Sequence, residues 1–366
     1  MATQNKIDTL TIRGFQSIRE LNDFKLNNLN VLIGANGAGK SNFVTYFRML
    51  SELVEQRLQV WVAKRGGADV LLSFGVKETQ ELYSFVLFGR NGYEFTLAPT
   101  ASDGFVFIDE RLFSDIGQDR IWISLGAGYK ESELKDAVFP GNQNIATDCY
   151  ESILSWKIFH FHDTSDTAGV KRLGSLADAD YLRSDAANLA AFLYRMKRHS
   201  PDTYSQIRKT VQLAIPFFDD FVLEPQTANG DNQQIRLMWR QKESNYPLWP
   251  TQLSDGSIRF ICLATALLQP IPPSTIIIDE PELGLHPYAI TLLGSLMRSA
   301  SARMQLIVST QSVPLLNEFS IDNLIVVERE DGVSVFNRLN EDEFTNWLEE
   351  YSVGELWEKN ILGGRP

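Results

Sequence analysis

The sequence predicts an α/β fold built on a parallel sheet, and two stretches carry the prediction. The first is Asn30-Val31-Leu32-Ile33, an apolar run that enters Gly34-Ala35-Asn36-Gly37-Ala38-Gly39-Lys40-Ser41. From Ser41 onward the pattern turns helical, with Phe43, Phe47, Leu50, Val54 and Leu58 recurring at spacings of three and four. The second is Ser274-Thr275-Ile276-Ile277-Ile278, a β-branched run that ends in Asp279 and Glu280. A buried parallel strand delivers its last residues to the ligand crevice of such a sheet.

The glycine stretch has the form G-x-x-x-x-G-K-[ST], and it stands between a strand and a helix, where that motif wraps triphosphates. Backbone N–H groups of Gly34 to Ser41, together with the helix N-terminus, would face the anion. Lys40 would reach the β- and γ-phosphates and the Ser41 hydroxyl would coordinate Mg²⁺. Asn42, next along the helix, belongs to the same nucleotide-binding group. Asp279 would also hold Mg²⁺, and Glu280 is placed to accept a proton from an attacking water. Alone, Asp279-Glu280 reads equally as an acidic strand end or helix start; the glycine loop decides for the nucleotide site.

Composition sets the outer limits. A chain of 366 residues holds one large α/β domain with an inserted lobe, or two domains. No run approaches the roughly 18 apolar residues of a membrane span, and the N-terminus lacks a signal-peptide core. Cys149 and Cys262 have no Cys neighbour at metal-ligand spacing, and Cys262 lies inside Ile261-Cys262-Leu263-Ala264, so a buried thiol there and a cytoplasmic location are expected. The formal charge of −12 opposes indiscriminate DNA binding but leaves room for a local basic groove. Arg195 and Lys197-Arg198-His199 form one small basic cluster that a solvated helix face also explains.

Along the chain, Ile7 to Arg13 alternates as a half-exposed strand does. Leu82 to Phe88 and Tyr93 to Leu97 read as a hairpin joined through Asn91-Gly92. Phe105 to Asp109 and Ser152 to His162 add two further strands. A helix is expected from about Ala177 to Lys197, and another opens with Ser200 as cap and Pro201 at its first position. Short strands follow around Phe221 to Glu224 and Ile235 to Trp239. His160 and His162 share one face of their expected strand, but no third ligand completes a metal site.

Ser254 and Gly256, within Leu253-Ser254-Asp255-Gly256, read as a helix cap and a turn residue ahead of an apolar helix reaching about Gln269. The same four residues resemble the signature motif of ABC-type ATPases, which include the SMC, RecF and DNA-break-repair heads and the overcoming-lysogenization-defect nucleases. Pro281 to Pro287 stands in the place of that superfamily's D-loop. Gln305 to Ser312 resembles its strand and switch segment, with Gln311 where a phosphate-sensing His is usual. At family level the chain is similar to prokaryotic ATPases often labelled AAA family. It shares with them Ile12 to Ile18, the Asn188-Leu189-Ala190 helix, and the C-terminal Val353 to Trp357 with Gly363-Gly364.

The resemblance implies a P-loop NTPase of the ABC-type head class, with ATP and Mg²⁺ as cofactors. Ser254, Asp255 and Gly256 would act in trans on ATP held by a second copy, which gives a head-to-tail dimer. Glu280, Gln311 and Lys40 would form the catalytic group. Gln311 hydrogen-bonds without positive charge, so slow hydrolysis is expected. Many relatives have Arg where Gln16 stands, and the replacement weakens the case for a phosphate or nucleotide contact there.

The expected division is 1–65 for the first ATPase half, 66–165 for a β-rich lobe, 166–218 for an inserted helical lobe, and 219–366 for the second ATPase half. By association with its relatives, the head would regulate a companion effector, a nuclease in antiviral defence. The alternative is a RecF-like DNA-binding clamp acting in repair. A transporter motor is disfavoured by the long insertion and the RecF-like start.

Overall fold

In the computed structural model, residues 6–117, 119–138, 145–161, 163–227 and 233–364 are described. The central six-stranded sheet runs, edge to edge, Val333–Arg338, Leu324–Glu330, Leu29–Ile33, Gln305–Ser309, Thr275–Asp279 and Lys157–Phe159. All its pairings are parallel except the hairpin that ends at Val333–Arg338. Every residue of Leu29–Ile33 and Gln305–Ser309 is buried, because a parallel sheet is covered on both faces. Alternate side chains enter different cores. Val31, Ile33, Ile276, Ile278, Leu306 and Val308 face one, while Leu32, Ile277 and Ile307 face the other.

Helices Leu189–His199, Pro201–Ala214, Asp255–Leu268 and Pro287–Ser301 close the first core. The second joins the sheet to helix Lys40–Val54 and to a six-stranded antiparallel sheet. That sheet is ordered Ile18–Lys25, Thr9–Phe15, Leu82–Phe88, Asn91–Pro99, Phe105–Ile116 and Asp119–Gly126. Phe43 and Phe47 of the helix lie 5.2 Å apart, ring to ring, and Phe47 meets Trp156 at 5.3 Å. This aromatic spine holds the start of the helix, and with it the glycine loop, against the sheet. Among the described residues, no helix is long and apolar enough to cross a membrane.

Several local expectations need correction. The hairpin turn is Gly89-Arg90, because Phe88 pairs with Asn91 and Gly92 is already in the strand; Gly89 takes the positive φ, +60°, that the turn requires. Ser152 to Leu154 is the end of helix Ile145–Leu154, whose Ala146, Cys149, Ser152 and Ile153 are buried at helical spacing. Only Lys157–Phe159 of that stretch is strand, and His162 lies outside the described residues. The helix expected from Ala177 begins at Leu189. Before it, Asn188 donates to Asp178 O (3.0 Å) and Tyr181 O (2.7 Å) and accepts from Arg183 N (2.9 Å), tying the chain into turns. Ser200 is the N-cap of Pro201–Ala214 but makes no side-chain capping bond.

The fourfold division stands as a proposal, and both sheets cross its boundaries. The antiparallel sheet recruits Thr9–Phe15 and Ile18–Lys25, and Lys157–Phe159 joins the central sheet.

Candidate nucleotide site

Strand Leu29–Ile33 delivers the glycine loop to the C-terminal edge of the central sheet, and helix Lys40–Val54 leaves from it. Gly39, at φ +117°, is the N-cap, and a Cβ there would collide with Ser334 Oγ. Ser334 Oγ donates to Ala38 O (2.5 Å) and lies 2.6 Å from Ser17 Oγ, and Asn42 Nδ2 donates to the same Ser17 Oγ (2.6 Å). Hydroxyls from the turn before Ile18–Lys25 and from strand Val333–Arg338 thus fix the loop from below. Lys40 is buried, with its ammonium folded onto Gly34 O at 2.6 Å and Ala35 O at 3.0 Å. Burial lowers its pKa against the raising effect of Glu280, Asp279 and Glu282. A buried cation held on neutral carbonyls is a cation an incoming triphosphate would stabilise.

Strand Thr275–Asp279 brings its acidic end to the same edge. Ser41 Oγ donates to Asp279 Oδ2 at 3.2 Å, and Ser309 Oγ donates to Asp279 Oδ1. Hard oxygen donors from a hydroxyl and a carboxylate suit Mg²⁺, so the residues present fit that ion. Glu280 has left-handed backbone, φ +45°, with its N–H donated to Ser309 O at 2.9 Å. Gln311 Nε2 donates to Asn36 Oδ1 at 2.6 Å and approaches Glu280 Oε1 at 3.4 Å. Glu280, Gln311, Lys40, Ser41, Asp279 and Asn36 are therefore brought together from three distant segments.

Three contributors escaped the sequence reading: Ser17, Ser334 and Glu282. Glu282 accepts from Thr310 Oγ1 at 2.5 Å and from Gln311 N at 3.3 Å, while its Oε2 is buried without a partner. Burial raises its pKa, and the neighbouring charge of Glu280 adds to this. In sequence it is marked only by its place in the Pro281 to Pro287 stretch, two residues after Glu280. His160 follows Phe159, which pairs with Ile278, so it stands beside Asp279 at the sheet edge. There its Nδ1 is 3.1 Å from Arg48 Nη2. Among the described residues no cluster of three metal-ligating side chains occurs.

The signature residues gather elsewhere. Ser254 caps helix Asp255–Leu268, accepting from Ser257 N at 3.2 Å, and Asp255 lies 3.5 Å from the Lys171 ammonium. Gly256 touches the D-loop: a Cβ on it would collide with Gly284 O. Arg259 fastens the two segments, donating to Leu283 O and to Phe161 O (2.8 Å). Ser254 and Asp255 are exposed, and among the described residues none of their hydrogen bonds reaches Gly34 to Ser41.

A glycine loop, an acidic strand end and a capped helix around one mixed sheet give this chain the α/β fold of an ABC-type, SMC-like ATPase head. The chain belongs to the family described as "AAA domain, putative AbiEii toxin, Type IV TA system", whose model matches residues 29–317. Solved structures agree on the fold. An SMC head bound to the C-winged helix domain of ScpA superposes with a TM-score of 0.59 at 16% identity, covering 93% of this chain and 99% of that one. An SMC head with an extended coiled coil, bound to the C-terminal domain of ScpA from Pyrococcus furiosus, gives 0.54 at 15% identity, covering 94% and 99%. None of the curated proteins matches the chain in sequence.

Proposed function

We propose that two copies of this head close on ATP, each presenting Ser254 and Gly256 to the triphosphate held by Gly34 to Asn42 of the other. The observation that carries this is the split geometry. The proposed catalytic groups surround the glycine loop, whereas Ser254 and Asp255 are exposed, Asp255 pairs with Lys171, and half-buried Gly256 packs against the D-loop. Within each site Lys40 neutralises phosphate charge, and Glu280 accepts the proton of the attacking water. Gln311, already between Asn36 and Glu280, orients that water without adding charge. Ser41 and Asp279 would hold Mg²⁺, which supplies charge neutralisation at the phosphates.

For the output, the clamp reading has the broader support: the likeness to SMC heads runs over the antiparallel sheet as well as the nucleotide half. In it, closed heads grip nucleic acid and a companion protein docks on them, as ScpA domains do on those SMC heads; both steps rest on analogy of fold. The second reading, a head that restrains a companion nuclease in antiviral defence, is favoured by the net charge of −12.

Mass in solution with and without ATP and Mg²⁺, for wild type and Glu280→Gln, tests the switch alongside phosphate release. ATP-driven doubling of mass, with the variant held closed and silent in phosphate release, is expected. Assembly indifferent to ATP, with phosphate release unaffected by losing Glu280, refutes the trans roles. Salt-dependent DNA binding by the trapped dimer separates the clamp from the second reading.

A further inference from the structure

Beside the loop, on the side of Asn42, opens a cavity of about 500 Å³ bordered by Gln16, Ser17, Asn42, Asp69, Phe74 and Arg329. Its volume falls within the range of ligand pockets. Phe74 is its unusual wall. The ring is 49% exposed, and the residue has left-handed backbone, φ +59°, a strained state for a bulky side chain. The Arg19 guanidinium lies 5.9 Å from the ring. Gly332 lies against the ring edge, where a Cβ would stand 3.0 Å from Cε1. The backbone is thus held in a costly conformation that leaves an aromatic ring half open on a cavity.

We propose that this cavity is the nucleoside half of the site and that Phe74 is the surface on which the base stacks; the inference rests on reading the glycine loop as a triphosphate site. The direction of the ligand follows from the groups already placed. Gln311 and Glu280 meet the loop at Asn36, so the terminal phosphate lies at that end and the nucleoside leaves at the other, by Asn42. Asn42 turns its amide toward Ser17, on the cavity wall. Arg329 donates to Gly37 O at 2.9 Å and borders the same cavity, carrying positive charge along the path.

The other opening beside the loop, about 220 Å³ between Ala35 to Ala38 and Val327 to Arg329, has no aromatic wall. Gln16 also changes its reading. It lines the base cavity with Oε1 buried and unpartnered, so the Gln that stands where relatives carry Arg borders the nucleoside.

The test is calorimetric titration of the full chain, in Mg²⁺, with ATP and separately with inorganic tripolyphosphate. Phe74→Ala should weaken ATP by about five- to 150-fold, the range of base–aromatic stacking, and leave tripolyphosphate unchanged; Phe74→Trp should retain ATP affinity. Unchanged ATP affinity in Phe74→Ala overturns the proposal, and so does an equal loss of both ligands with an unaltered melt. If Lys40→Ala loses both ligands while Phe74→Ala loses neither, the triphosphate site stands and the base cavity falls. Wild type binding neither ligand removes both.

Discussion

Glu282 offers a test of the resting site that needs no nucleotide. Its side chain is almost wholly buried: one oxygen is engaged by Thr310 and Gln311, and the other has no partner. A buried acceptor left unmade costs about 1–3 kcal/mol, and burial with the nearby Glu280 charge raises the pKa above the ordinary 4.5. The native state therefore takes up a proton more readily than the unfolded chain. The stability this contributes is fully present below pH 4.5 and is lost as pH rises through the raised native pKa.

Glu282→Gln keeps an oxygen for Thr310 and Gln311 and removes the charge. Near neutral pH the variant should exceed wild type by about 1–2 kcal/mol, a part of the desolvation cost. That margin should shrink toward zero as pH falls to the ordinary carboxylate range. Denaturant titrations at intervals from pH 4.5 to 8 read it directly. A variant less stable throughout, or a margin flat with pH, refutes the reasoning. A carboxyl group buried at a cost to the fold, between D-loop and switch segment, is the local conflict that functional sites retain.

Two further expectations concern packing. Gly256→Ala sets a Cβ against Gly284 O and should lower the unfolding free energy by about 1–3 kcal/mol of overpacking in the nucleotide-free chain, read as a lower denaturation midpoint; an unaltered midpoint would mean that the signature turn and D-loop do not pack as described. Cys149 and Cys262 are free and buried, and burial pushes the Cys262 thiol up to about 12 and raises that of Cys149 as well. Neither should react with a disulfide reagent at pH 8 until the chain unfolds; rapid native-state labelling would place them outside the core.

The α/β class was legible because a parallel sheet covered on both faces leaves unbroken apolar runs, as at Val31 to Ile33 and Ile276 to Ile278. The misread stretches share a different cause. Ser152 to Leu154 is helical because Cys149 and Ile153 pack into the core beneath the helix, which a short window of alternating residues conceals. Asp178 to Asn188 is held in turns by one side-chain amide, and such an anchor leaves no periodic trace. The register of the hairpin turned on Gly89 rather than on Asn91-Gly92. Two adjacent turn signals compete there, and only the strand pairing chooses between them.

The site divides along the same line. The contiguous parts, Gly34 to Asn42 and Asp279-Glu280, carry their chemistry in fixed spacing. The parts assembled across the fold do not. Ser17 and Ser334 meet under the loop although 317 residues separate them, and alone one is an ordinary turn serine and the other an ordinary strand serine. Phe74 is the sharper case. In sequence it precedes Gly75 as any turn residue could, and its meaning comes from left-handed backbone, a half-exposed ring and a cavity shared with Asn42. Gln16 looked like a lost contact when compared with Arg at its position. Beside Phe74 it is one wall of a different pocket, so the substitution changes which part of the ligand that position meets.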